Sequence, residues 1–132
     1  MNKRIESHRD LFVWQKAMDL AVAVHHLTKG LPTNERFRMI DQMIRSVTSV
    51  PANIAEGHAR STAKDFAQFL SIARGSLMET QTFIELAIRL NYLTTEIADP
   101  ILNQITEISK MLSVLKKRIL SSANSPRPSS AP

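Results

Sequence analysis

Apolar residues recur along most of this chain at intervals of three and four, the spacing that puts side chains on one face of an α-helix. The first run extends from about Asp10 to Lys29 and carries Trp14, Ala17, Met18, Ala21, Val24 and Thr28; Gly30-Leu31-Pro32 stops it. Thr33 or Asn34 is placed to cap a second helix, because a short side-chain oxygen accepts from an orphan N–H of the first turn. The stripe of that helix is Phe37, Ile40, Ile44, Val47, Pro51 and Ile54, in steps of 3, 4, 3, 4 and 3. Gly57 is a natural terminator, since glycine reaches the left-handed conformation without a Cβ penalty.

The third helix is predicted from Ser61 or Thr62 to about Leu90 and carries two stripes. One is Phe66, Leu70, Ala73, Leu77, Thr80, Ile84 and Ala87; the other is Phe69, Ile72, Ser76, Phe83, Leu86 and Leu90. A helix of a monomeric bundle needs only one apolar stripe with a polar face opposite, so the second implies contact with another subunit, the alternative being one broad core-facing stripe in a thick bundle. The fourth helix opens between Thr95 and Pro100. Asp99-Pro100 suits an N-cap followed by proline at the first helical position, and Thr95-Glu96 offers an earlier start. Its seam, Ile101, Ile105, Ile108, Leu112, Leu115 and Ile119, is heptad-like.

These elements predict an all-α, up-down-up-down antiparallel four-helix bundle over residues 10–120. Residues 1–9 form an N-terminal arm, and residues 121–132 are a Ser- and Pro-rich tail with nothing to bury, expected to be disordered. Pro51 lies inside the second helix, where it deletes a backbone hydrogen bond at a cost of about 3 kcal/mol. A bend there is expected, re-aiming the end of that helix toward Arg60 and Lys64.

Polar residues close to the apolar stripes are the next signal: Arg45, Asn53, Glu56 and Glu79. A hairpin turning near Ala59 sets residue 45 roughly opposite residue 73. Gly75 and Ser76 then let the two backbones approach, and Arg45 and Glu79 come close enough to pair. Such a network would fix bundle register or a subunit contact. Ser49 and Asn53 flank the proline and are placed to satisfy carbonyls that Pro51 leaves free.

Composition narrows the chemistry. The chain has 132 residues, 43% of them hydrophobic and 22% charged, with three glycines and no cysteine. That is one domain with no disulfide framework, thiolate nucleophile or Cys-ligated metal. None of His8, His25, His26 and His58 has an acidic residue three positions before it, as a bundle metal site built on Glu-x-x-His requires. His25 and His26 occupy different helix faces. No glycine-rich phosphate loop or Gly-x-Ser-x-Gly motif occurs. We therefore expect no catalytic residues, no metal and no cofactor. No apolar run approaches the ~18–20 residues of a membrane span, and Lys3-Arg4 leads into no apolar signal core, so the expected location is the cytoplasm.

Charge points the other way, toward a partner. The formal net charge is +5 and the sequence pI about 10.0. Cations concentrate at Arg36 with Arg38, Arg60 with Lys64, and Lys116-Lys117-Arg118. Basic surfaces attract phosphate backbones through counterion release, and an oligomer repeats each patch.

The most specific segments are Ser49-Val50-Pro51-Ala52-Asn53-Ile54-Ala55-Glu56-Gly57 within residues 42–57, the run from Phe66 to Glu79, and Asn91-Tyr92-Leu93. Through them the chain resembles the four-helix-bundle proteins named for 23S rRNA intervening sequences, also labelled S23 ribosomal protein; His58 is a minor departure. The resemblance implies a homopentameric ring with no established catalytic residues. It also implies similarity in fold to basic pentameric accessory proteins of diversity-generating retroelements, which bind nucleic acid and a reverse transcriptase. Trp14, Arg45, Pro51, Asn53, Glu56, Gly57, Phe69, Gly75, Glu79 and Phe83 are the candidate structural or oligomer residues. The leading expectation is a non-enzymatic oligomeric module whose basic surface contacts RNA, DNA or a nucleic-acid enzyme. The alternative is a protein-interaction scaffold that binds no nucleic acid.

Overall fold

The computed structural model describes residues 5–124. Four helices follow one another: α1 (Phe12–Thr28), α2 (Asp41–His58), α3 (Ala63–Arg89) and α4 (Thr95–Asn124), with no strand among the described residues. α1 packs on α2 and α4, and α3 packs on the same two helices, so the four form a square, up-and-down bundle. Leu20, Val24, Met43, Val47, Val50, Ile54, Leu70, Leu77, Ile84, Ile105, Ile108 and Leu112 are fully buried at its centre. Burying each such side chain stabilises the fold by roughly 1.5–3 kcal/mol before the entropy of ordering it is counted.

Local chemistry sets most boundaries. Ahead of α1, a 3₁₀ turn at His8–Asp10 is closed by a capping box: the Ser7 hydroxyl accepts from the Arg9 N–H, and Asp10 accepts from the Ser7 N–H at 3.2 Å. The His8 ring meets Trp14 edge-on at 4.9 Å, which lays the end of the expected N-terminal arm against the bundle. Thr62 caps α3 by accepting from the Asp65 N–H at 3.1 Å. α3 ends at Arg89 and is closed by Asn91, whose φ of 62° is the left-handed value. The Tyr92 N–H then reaches the Ala87 carbonyl at 2.9 Å and the Asn91 N–H that of Ile88 at 3.0 Å. This is a Schellman motif, with asparagine standing where glycine is usual.

Several expected boundaries are corrected. No side chain of Thr33 or Asn34 caps α2; those residues form a 3₁₀ turn (Thr33–Glu35) that runs through a π-helical segment (Arg36–Ile40) into the helix. The buried face of α2, carried back at about 100° per residue from Val47, Val50 and Ile54, passes through Met43 and Met39 and leaves Phe37 well to one side. Phe37, placed on the core stripe by the pattern, is 77% exposed, and Met39 and Met43 fill the core instead. Of the two starts offered for α4, the earlier one at Thr95 is taken and Asp99-Pro100 is not the cap. Thr94 accepts from the Ile97 N–H at 3.4 Å, and Pro100 lies inside the helix. At the other end α4 continues to Asn124, four residues past the expected stop; the remainder of the predicted tail lies outside the described residues.

Neither glycine has the role assigned to it. Gly57 adopts no positive φ and does not terminate α2, which ends at His58. A Cβ built on Gly57 would sit 2.7 Å from Cβ of Phe69 and 3.0 Å from Cδ1 of Phe66. Gly57 is thus a point where α2 and α3 approach too closely for a side chain. At Gly75, expected to serve that purpose, nothing lies within 4 Å of where a Cβ would be.

Candidate nucleic-acid interface

The antiparallel order puts the end of α2, the start of α3 and the end of α4 at one end of the bundle. Arg60, Lys64, Lys116, Lys117 and Arg118 therefore gather there from three segments, whereas Arg36 and Arg38 lie at the opposite end, before α2. Of the seven cations singled out by the sequence, five share an end and two do not.

The five are held differently. The Arg60 guanidinium pairs with Glu56 at 2.8 Å and lies 4.7 Å from the centre of the Phe69 ring. Arg60 and Arg118 both line a cleft of about 610 Å³, together with Phe66 and Ile119. The Lys116 ammonium donates to the Ser71 hydroxyl at 2.7 Å, across the α3–α4 seam. Lys64, Lys117 and Arg118 are exposed. Among the described residues, Arg60–Glu56 is the one ion pair these five make. At the far end Arg38 is bound to Glu35 at 3.0 Å, and Arg36 lies 5.7 Å from the centre of the Phe37 ring.

The sequence pattern did not single out Arg74. Its Nε donates to the Ser109 hydroxyl on α4 at 3.1 Å, so it belongs to the same seam as Lys116. Its only signal in the chain is a lone arginine beside a glycine. The partnership with α4 spans thirty-five positions and has no local trace.

The residues assigned to structure or assembly divide in the same way. Trp14 and Pro51 line an apolar cleft of about 670 Å³ between α1 and α2, together with Met18, Val22 and Ala52. The hairpin register is not the one expected. Ser46 and Thr80 hydroxyls lie 2.8 Å apart and those of Ser49 and Ser76 lie 2.9 Å apart. Residue 45 thus faces residue 80, two turns from residue 73, because the α2–α3 connection turns later than Ala59. Arg45 and Glu79 are exposed, and no ion pair joins them.

Pro51 has no N–H to offer the Val47 carbonyl four residues back. The Asn53 amide does not replace it; it donates to the Ser49 carbonyl and hydroxyl, both at 2.8 Å. Phe69 and Phe83 are half-buried, while Ile72, Leu86 and Leu90 of the same stripe remain exposed on the monomer. No three His, Cys, Asp or Glu side chains converge as a metal site among the described residues, and no described helix is long and apolar enough to cross a membrane.

The model of the family described as 23S rRNA-intervening sequence protein matches residues 9–114, most of the chain. The chain belongs to this family. The resemblance carried by residues 42–57 and by the run from Phe66 to Glu79 is borne out. The crystal structure of a protein of unknown function from the S23 ribosomal protein family of Bacteroides thetaiotaomicron VPI-5482 superposes with a TM-score of 0.73. The two are 39% identical, over 80% of this chain and 98% of that one. No curated protein matches. The bundle is therefore a shape that these two proteins share.

Proposed function

We propose that this chain is a non-enzymatic, cytoplasmic, oligomeric module whose basic end associates with nucleic acid, RNA or DNA, directly or alongside a nucleic-acid enzyme. One observation carries the reading: helix order collects Arg60, Lys64, Lys116, Lys117 and Arg118 at one end, where a single carboxylate neutralises one of them. The family description, with its reference to 23S rRNA intervening sequences, makes RNA the first probe to try. The exposed Ile72, Leu86 and Leu90 of the second α3 stripe support assembly, and the resemblance to pentameric proteins supports five copies. Five chains of 14.8 kDa would give about 74 kDa by light scattering.

The test is fluorescence anisotropy with labelled single-stranded RNA and DNA. Affinity should fall steeply with salt, the logarithmic slope reporting about 0.7 per phosphate neutralised on a single strand. Simultaneous Lys116→Glu, Lys117→Glu and Arg118→Glu should abolish binding. Absence of binding by the unmodified protein at low salt would sink the proposal. Co-purification of a protein partner that survives nuclease and high salt would instead support the scaffold reading, which the exposed Ile72, Leu86 and Leu90 favour.

A further inference from the structure

Between α3 and α4 lies an open groove of about 370 Å³, floored by the buried Leu70 and Leu112 and walled by Ser71, Arg74, Ser113 and Lys116. No carboxylate lines it. The geometry points to a subsite for one phosphodiester group of a nucleic-acid strand, held between Arg74 and Lys116; this rests on the nucleic-acid reading above.

Three features point to an anion. Both cations are oriented before any ligand arrives, since Lys116 is tied to Ser71 and Arg74 to Ser109 across the seam. Ordering them on binding therefore costs less than ordering free side chains. Each keeps donors in reserve: an ammonium has three and a guanidinium five, and one of each is used. Neither makes an ion pair among the described residues, so the charge is uncompensated. Ser71, which anchors Lys116, and Arg74 stand about one helical turn apart on α3, and all three line the groove.

Gly75 supplies an independent sign. It is exposed in the middle of α3, where glycine weakens a helix, and no neighbour requires the missing side chain. Its effect is to leave the groove wall open beside Arg74. An open groove suits a strand passing along the surface better than a free phosphate, which needs enclosure to be held. Lys116 also joins the groove to Lys117 and Arg118 of the basic end, so a backbone engaged there continues into it.

Two variants separate charge from space. Gly75→Leu fills the groove mouth with net charge unchanged, and it replaces a helix-weakening residue, so the melting temperature should hold or rise. Arg74→Gln with Lys116→Gln removes the charge without reversing it. With a labelled single-stranded RNA, Gly75→Leu should weaken binding about tenfold at constant salt slope. The double variant should lower the slope by about 0.7 for each phosphate it no longer neutralises. Titration with inorganic phosphate, followed by the Arg74 Nε–H resonance, probes the free anion. Oligonucleotide binding that both variants leave intact overturns the subsite while the nucleic-acid reading stands. No binding of the oligonucleotide by the unmodified protein overturns both. A response to inorganic phosphate alone replaces the strand with a free-anion site. A change in oligomer mass for Gly75→Leu shows a second copy in the groove and also overturns the proposal.

Discussion

Replacing Gly57 with alanine should destabilise the bundle although alanine is the better helix former. The new Cβ would lie 2.7 Å from Phe69 Cβ and 3.0 Å from Phe66 Cδ1, against about 3.5–4.0 Å for an unstrained carbon–carbon contact. The Phe69 atom is attached directly to the α3 backbone, so no rotamer change relieves it; α2 and α3 must separate by about 1 Å at that point. Overpacking of this kind costs about 1–3 kcal/mol. The helix-propensity gain of Gly→Ala, at most about 1 kcal/mol in a helix interior, offsets part of that and is smaller here because Gly57 is one residue from the end of α2. The net expectation is a loss of about 1–2 kcal/mol.

Gly75→Ala is the matched control. It adds the same methyl group in a helix interior where nothing lies within 4 Å, so it should gain about 0.5–1 kcal/mol. Urea unfolding followed by circular dichroism, at one fixed protein concentration because assembly shifts apparent stability, gives both values. The two midpoints should move in opposite directions at unchanged slope. If Gly57→Ala unfolds at the same or higher urea than the unmodified protein, close approach at Gly57 is not what limits the α2–α3 packing.

Ile105 is fully buried on the α4 seam, and Ile105→Ala should cost about 2–5 kcal/mol in the same assay. Ser46→Ala and Thr80→Val each remove one member of the buried hydroxyl pair; a double-mutant cycle should return a coupling of about 0.5–1.5 kcal/mol, and zero coupling would exclude a role for that pair in register. Pro51→Ala restores a donor for the Val47 carbonyl and trims the wall of the cleft shared with Trp14. It should change oligomer mass by light scattering if the proline shapes a subunit contact, and an unchanged mass removes that role.

The long helices were legible because their period is uninterrupted. Over α3 every buried side chain from Leu70 to Ala87 belongs to the stripe read from spacing alone, and Ile101, Ile105, Ile108 and Leu112 of α4 are buried as their steps require. The basic clusters were legible as clusters. Their grouping was not: Arg60 and Arg118 line one cleft only because three helix termini meet, and Arg74 and Lys116 share a groove only across the α3–α4 seam.

Helical period is a local property, set by a few backbone dihedrals per turn, so the order of residues by itself determined four helices, their apolar faces and the family they belong to. Phase and register are not local. The core face of α2 runs through Met39 and Met43 and leaves Phe37 in solvent, and a later hairpin turn set Ser46 against Thr80. With register went the meaning of the glycines: Gly57 lies under two phenylalanines and Gly75 opens onto a groove, a distinction made by what the neighbouring helix brings alongside each.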